Sequence, residues 1–247
     1  MRFLLAFALM LLAPIAHAAD EDDVKLVPLM DGVWMHVSYG DFNGHRVSAN
    51  GLVVKEGDTL FIVDSAWGDA NTEILLDMIE REIGLPVYAA VATHFHEDRA
   101  AGAEAFKARG IPFYASAKTR ELVERAGRVP PADVITVSPR PGGMSPLGPL
   151  TVMYPGAAHT TDNLVVWLAE QKLLFGGCAV RAASAKNLGY YADGDPAHWD
   201  DAMERVLKTF SEAETVVPGH GAVGGPELLT HTRDLALAFK AKEKASD

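Results

Sequence analysis

The run His94-Phe95-His96-Glu97-Asp98 places three side chains that commonly hold metal ions at alternate positions. In an extended segment, residues two apart point the same way, so His94 and His96 can present both imidazoles to one ion. Asp98 continues the alternation, and a helix starting there would redirect its carboxylate toward a second ion. An isolated His-x-His is a weak signal, because it also arises on surfaces and by chance. Three other segments give it company: Ala158-His159-Thr160, Gly176-Gly177-Cys178 and Gly219-His220-Gly221. Each of these candidates adjoins a predicted strand and is flanked by small residues that let backbone and ion approach. Imidazole nitrogen, carboxylate oxygen and thiolate form the zinc ligand set. The six divide into two zinc sites, His94, His96 and His159 for one, and Asp98, Cys178 and His220 for the other. The competing reading is six independent buried or surface residues, and their shared position at strand ends argues against it.

Such ligands need rigid strands to bring them together, and the sequence contains the required unit twice. Residues 50–54, the turn Lys55-Glu56-Gly57-Asp58 and residues 59–63 read as a β-hairpin that ends at Asp64-Ser65-Ala66-Trp67. Residues 163–168, the turn Ala169-Glu170-Gln171-Lys172 and residues 173–175 repeat it, ending at Gly176-Gly177-Cys178-Ala179. A helix follows each hairpin. Ile74, Leu75, Met78, Ile79 and Ile83 form the apolar stripe of the first. Trp199, Met203, Val206, Leu207 and Phe210 form that of the second, with Asp195 expected as its cap and Pro196 in its first helical position. Each helix leads to a strand, over residues 87–92 and 215–217, and each strand runs into histidine. The offset is 112 residues from Val63 to Phe175 and 126 from His94 to His220. The pattern predicts an α/β fold, an αββα sandwich of two pseudo-equivalent halves packed sheet to sheet with helices outside. Chance similarity of two ordinary α/β units is the alternative.

Further helices are expected over residues 99–109, ended by Gly110, over residues 117–126, ended by Gly127, and from Pro226 onward. Residues 129–148, rich in proline and glycine, read as a surface connection between the halves. Asn43-Gly44 is a hairpin turn signal, which makes residues 39–47 a flap over the zinc pocket with Phe42 exposed at its tip.

Composition narrows the partners. Among 247 residues the charges sum to 22 − 33 = −11. That balance excludes nucleic acid, which needs a basic face, and an anionic membrane surface. One cysteine cannot close an intramolecular disulfide. Met1-Arg2, the apolar residues 3–15 and Ala16-His17-Ala18 read as a secretory signal peptide over residues 1–18, too short for a spanning helix of about 20 residues. A single domain over residues 19–247 would remain, exported to the periplasm with no membrane anchor.

With these motifs together, the chain resembles the metallo-β-lactamases of class B, specifically their first subclass. The resemblance covers essentially the whole mature chain. It runs through Asn50-Gly51-Leu52, Val63-Asp64-Ser65, Thr93-His94-Phe95-His96-Glu97-Asp98-Arg99, His159-Thr160-Thr161-Asp162-Asn163, Gly177-Cys178 and Pro218-Gly219-His220. It implies the metallo-β-lactamase fold, two Zn2+ per monomeric chain, and a small-molecule β-lactam as substrate. The implied reaction is hydrolysis of the lactam amide by a metal-bound hydroxide oriented by Asp98, giving antibiotic resistance. Thioesterases, lactonases and ribonucleases of the same fold usually place a histidine straight after the motif aspartate, where this chain has Arg99. Most of them also use a bridging aspartate where Cys178 stands. The second lactamase subclass carries asparagine in place of His94. The rival readings are another dizinc hydrolase, acting on a thioester, ester or lactone, and a non-catalytic periplasmic zinc-binding protein.

Three positions depart from the family pattern. Ala157-Ala158 replaces proline-glycine, a mild change if the backbone there needs no positive φ. Arg181 stands where many relatives carry a lysine that binds the substrate carboxylate, with Lys186 its competitor for that task. Tyr190 stands where relatives often carry an asparagine near the lactam carbonyl. Trp67 is either a core aromatic or a pocket wall, and the resemblance favours the pocket edge. Asp64 is either a loop cap or, with Arg99, an outer partner that orients the metal ligands. His36, His45, His198 and His231 lack such company and are expected on the surface or in local hydrogen bonds.

Overall fold

The computed structural model describes residues 23–246. The expected signal segment, residues 1–18, and the start of the mature chain lie outside the described residues. One sheet has seven strands in chain order: β1 (Val24–Met30), β2 (Val33–Phe42), β3 (His45–Glu56), β4 (Thr59–Val63), β5 (Val87–Val91), β6 (Phe113–Ala115) and β7 (Asp133–Val134). β1 to β4 pair antiparallel, and β4 to β7 pair parallel. The second sheet contains β8 (Gly143–Leu147), β9 (Leu150–Tyr154), β10 (Val165–Leu168), β11 (Leu173–Gly177) and β12 (Thr215–Pro218), in the spatial order β12-β11-β10-β9-β8. Only β11–β12 is parallel there.

The helices are α1 (Gly68–Glu82), α2 (Glu97–Ala100), α3 (Ala103–Ala108), α4 (Ala117–Arg125), α5 (Trp199–Thr209) and α6 (Glu227–Ser246). Central strands are covered on both faces, which is why they read as continuous apolar runs. In β4, Leu60 and Ile62 pack with Leu75 and Ile79 of α1, while Phe61 and Val63 join the layer between the sheets. In β10, Val165 packs with Trp199 and Met203 of α5, and Val166 joins that same inter-sheet layer. Three apolar layers between four structural ones make an αββα sandwich.

The two halves match further than the hairpins suggest. β1–β4, α1 and β5 are followed in the second half by β8–β11, α5 and β12, with the same pairing senses. The first half adds α2, α3, β6, α4 and β7.

Three local expectations are corrected. The helix expected over residues 99–109 begins at Glu97 and breaks between α2 and α3. At Gly102 a Cβ would fall 2.3 Å from Thr72 Oγ1 and 2.6 Å from Ser65 Cβ, so α1 approaches too closely for a side chain there. Residues 129–148 hold β7 and β8, one edge strand of each sheet, besides connection; Pro146 is tolerated because β8 is an edge. α5 starts at Trp199, not at Pro196, with His198 as N-cap. Asp195 instead closes a preceding turn: its carbonyl accepts from His198 N at 3.2 Å and its carboxylate lies 2.8 Å from His198 Nδ1.

One histidine expected on the surface or in local hydrogen bonds is instead a core residue bonded to carbonyls 27 and 28 residues away. His36 on β2 is buried, and its Nε2 lies 3.3 Å from the Val63 carbonyl and 3.2 Å from that of Asp64. Gly51 leaves room for the ring, since a Cβ there would sit 2.0 Å from Nε2. Burial pushes the His36 pKa down to about 4, with the Arg99 charge acting the same way and the two carbonyls opposing it. The folded value lies below the unfolded one of 6.5, so this contribution to stability is present above pH 6.5 and is lost as pH falls through about 4. The shift corresponds to about 3 kcal/mol. Urea unfolding in chelator should show the chain losing more stability than His36→Asn between pH 7 and 4, by about that amount. Parallel pH profiles for the two would rule the assignment out.

Candidate metal centre

The ends of β5, β11 and β12 and the β9–β10 loop bring the donors to one edge of the sandwich. The chain leaving β5 is fastened first: Thr93 N donates to Asp64 Oδ1 at 2.7 Å and Thr93 Oγ1 to Asp64 Oδ2 at 3.0 Å. His94 and His96 follow, and α2 then carries Asp98. In the β9–β10 loop, Asn163 shapes the turn that presents His159. Its Oδ1 accepts from Ala158 N and Thr160 N, both at 3.1 Å, and its Nδ2 donates to Gly156 O at 2.9 Å. Neither Ala157 nor Ala158 has a positive φ, so the backbone accepts alanine at both places. Gly219 explains the glycine before His220: a Cβ there would lie 2.7 Å from Cys178 Sγ.

All six candidates converge. His96 Nδ1 lies 3.1 Å from both His94 Nε2 and His159 Nε2. Cys178 Sγ lies 3.2 Å from His220 Nε2 and 3.7 Å from Asp98 Oδ2, and those two atoms are 3.4 Å apart. Ligands of one tetrahedral zinc, at 2.0–2.3 Å from it, stand about 3.3–3.6 Å from each other. The five distances, 3.1–3.7 Å, lie within a few tenths of an ångström of that spacing, so the residues present fit zinc. The ligand atoms of His94, His159 and Cys178 also lie within 4.8 Å of one another, which makes the triads immediate neighbours.

The second nitrogens of His96, His159 and His220 show how those rings are held, while His94 Nδ1 is buried without a partner among the described residues. His96 Nε2 lies 3.1 Å from Asp193 Oδ2, His159 Nδ1 2.9 Å from the Tyr190 carbonyl, and His220 Nδ1 is bonded to the Ser48 carbonyl. Asp193 was not foreseen, since Ala192-Asp193-Gly194 reads as an ordinary turn. Partial burial opposes its charge, but the His96 and Tyr190 hydrogen bonds hold its carboxyl below the usual range. Burial pushes His94, His159 and His220 down, His159 to about 3. They are therefore neutral at pH 7, the form in which imidazole binds metal.

Arg99 is 0% exposed and lies against Asp98 and Cys178 of the second triad. Its Nη2 is 2.9 Å from Asp98 Oδ2, 3.1 Å from Cys178 Sγ and 2.7 Å from the Gly219 carbonyl; its Nη1 is 3.2 Å from Asp64 Oδ2 and also donates to the Asn50 carbonyl. Burial favours the neutral form of Asp98, but Arg99 and the surrounding histidines hold its pKa down to about 2. Burial pushes Asp64 up to about 7 against the pull of Arg99 and Thr93. Burial also raises the Cys178 thiol far above its ordinary value, with Arg99 pulling the other way. A bound dication would supply the charge that turns this thiol into a thiolate.

A cavity of about 490 Å³ opens above the donors. His96, Asp98, His159 and His220 line it, together with Phe42, Trp67, Tyr190 and Arg181. The flap is the hairpin expected: Asn43 and Gly44 have φ of 55° and 77°, the paired positive values of a tight β-turn. Lys186 is exposed and is not among the cavity's lining residues. Arg128, which sequence reasoning missed, also lines the cavity, its Nη2 donating to the Phe95 carbonyl at 2.7 Å. His45 and His198 are exposed, and His231 Nε2 lies 3.0 Å from the Ala185 carbonyl.

An αββα sandwich with a histidine, aspartate and cysteine cluster at its strand ends defines a metal-binding protein. Residues 45–220 match the metallo-beta-lactamase superfamily. A metallo-beta-lactamase type 2 of Bacillus sp. (strain 170) is 40% identical over 213 residues, 86% of this chain and 82% of that protein. Metallo-beta-lactamase IND-1 of Chryseobacterium indologenes is 35% identical over 91% of this chain and 93% of its own length. Among solved structures, the metallo-beta-lactamase FIM-1 of Pseudomonas aeruginosa in its mono-zinc form superposes with a TM-score of 0.82 at 37% identity, over 90% of this chain and 96% of that one. The chain belongs to the metallo-β-lactamase superfamily.

Removing the central cation should expose the cost of this arrangement. Arg99→Ala leaves Asp64 and Asp98 buried without their counter-ion, a loss of about 3–5 kcal/mol. Urea unfolding in chelator measures it, and a change under about 1 kcal/mol would remove Arg99 from its central role.

Proposed function

We propose that the chain is a periplasmic β-lactam hydrolase holding two Zn2+ ions, made with a signal peptide over residues 1–18 and acting as a monomer of one domain over residues 19–247. The observation that carries this reading is the union, in one cavity, of two zinc-spaced triads with a guanidinium that makes no ion pair among the described residues. His94, His96 and His159 would hold one ion, and Asp98, Cys178 and His220 the other. Zinc, when bound, supplies a Lewis acid and lowers the pKa of water to about 7. Asp98, charged at neutral pH, accepts a hydrogen bond from the attacking water and sets its direction. Arg99 keeps Asp98 and Cys178 in place from below. Asp64 fastens the strand ends and pairs with Arg99. Cys178 serves as a ligand and not as a nucleophile, since it is buried and pinned between Arg99 and His220.

Arg181 supports the choice of an anionic substrate. Burial pulls its pKa down, partly offset by Cys178, and a charge so placed gains from an anionic partner. β-Lactams carry a carboxylate beside the ring nitrogen, and a guanidinium can grip it with two donors. The protein's net charge of −11 would repel such a ligand at long range, so a local cation must reverse the field. Trp67 and Phe42 form apolar walls of the same cavity, and Tyr190 stands where substrate side groups would pass.

Two measurements test the reading. The purified chain should hydrolyse a chromogenic cephalosporin with zinc and lose that activity in chelator. Arg181→Ala should raise KM about 10- to 150-fold, the value of a hydrogen bond to a charged group, with zinc content unchanged. A KM that moves instead in Lys186→Ala transfers the anchor to Lys186, and turnover of a thioester with no action on the cephalosporin replaces the lactam altogether. Metal analysis should give two zinc per chain, with Cys178→Ser selectively weakening one, because a serine hydroxyl is a far poorer anionic ligand. One zinc at saturation, unaltered by Cys178→Ser, would eliminate the second site.

A further inference from the structure

Besides the Asn71 bond to the Tyr39 carbonyl and the Arg46–Asp23 ion pair, two aromatic contacts join the flap to the rest of the molecule. Near its base, Gly40 lies against Trp67 so closely that a Cβ would fall 2.2 Å from the indole, while Trp67 N donates to Ser38 Oγ at 2.9 Å. At its tip, Phe42 meets the edge of Tyr190, with ring centroids 5.5 Å apart and planes at 77°. Phe42 ends β2 in the first half, whereas Tyr190 lies in the loop after β11 in the second. Their contact therefore bridges the halves above the cavity, where no strand pairing joins them. Both rings remain 41% exposed, so the contact is a roof at the cavity mouth and not part of the core.

Tyr190 is itself tied down. Its hydroxyl donates to Asp193 Oδ2 at 2.9 Å, the same oxygen that faces His96 Nε2. Its carbonyl faces His159 Nδ1. Its ring also stands edge-on to His96, with centroids 5.7 Å apart. A residue held at its hydroxyl, its carbonyl and its ring edge makes a firm platform for the flap tip.

We infer that Tyr190 is a specificity-determining residue, the seat on which Phe42 closes the flap, so that β-lactams with compact side groups bind under a seated flap and those with bulky ones must unseat it. The inference rests on the lactamase reading for its substrates but not for the contact itself. An edge-to-face aromatic pair is worth about 2- to 12-fold in an equilibrium. Tyr190→Ala removes that barrier while leaving Phe42 free to touch the substrate. It should therefore lower KM for bulky lactams relative to compact ones by about that factor, whereas Tyr190→Phe, which keeps the ring, should not.

Hydrogen–deuterium exchange of the amides of residues 41–47, in zinc-loaded and in chelated protein, tests the seat without any substrate. Phe42→Ala and Tyr190→Ala should each speed exchange there, the double variant should add nothing to either, and Tyr190→Phe should match the unsubstituted chain. The proposal falls if Tyr190→Ala leaves flap exchange unchanged, if the two substitutions add, or if the KM ratio between bulky and compact lactams does not move. Should no lactam be hydrolysed at all, the functional reading fails, and the exchange data still decide whether Tyr190 seats the flap.

Discussion

A single buried guanidinium organises this molecule. Arg99 touches the carboxylates of Asp64 and Asp98, the Cys178 sulfur and the carbonyls of Asn50 and Gly219, which come from both sheets and from both halves. Burying that charge is costly unless it is surrounded by partners, and here five groups meet the two Nη atoms, while Nε is left without one among the described residues. The same five groups are, or adjoin, the donors that line the cavity floor. Satisfying the arginine and assembling the site are thus one requirement, which explains why donors far apart in sequence meet so closely.

The positions flanking the cluster follow from that crowding. Gly219 has no side chain because Cys178 Sγ occupies the space. Asp64 adopts a left-handed backbone, φ 64°, at the end of β4, from where its carboxylate reaches both Thr93 and Arg99. Aspartate tolerates that conformation better than most residues. Packing, charge and backbone geometry all converge on the strand ends.

Much of this was legible in the sequence because the strongest signals are local. His94-x-His96-x-Asp98 lies within five residues, and the continuous apolar runs of β4 and β10 mark strands covered on both faces. The duplicated hairpin–helix–strand unit predicts the sandwich for the same reason. Less legible were features that depend on distant partners. Asp193 is 97 residues from His96, and nothing in its own neighbourhood marks it. Arg128 looks like any surface arginine at a helix end until its bond to Phe95 is seen. Gly102 has no side chain because of Thr72 on another element, and the prolines and glycines of residues 129–148 conceal two short edge strands. Helical periodicity likewise could not reveal that Asp195 turns the chain one step before α5 begins.

The seam between the halves has a further consequence. The first half contributes His94, His96 and Asp98, and the second contributes His159, Cys178 and His220, so neither triad is complete without the other half. An ion held by either triad would be a cross-link between the two halves, with bonds that neither half can make alone. Its binding energy then adds to the cohesion of the whole sandwich by mass action. Metal supply in the surroundings would set how long the folded chain survives, as well as whether it is active.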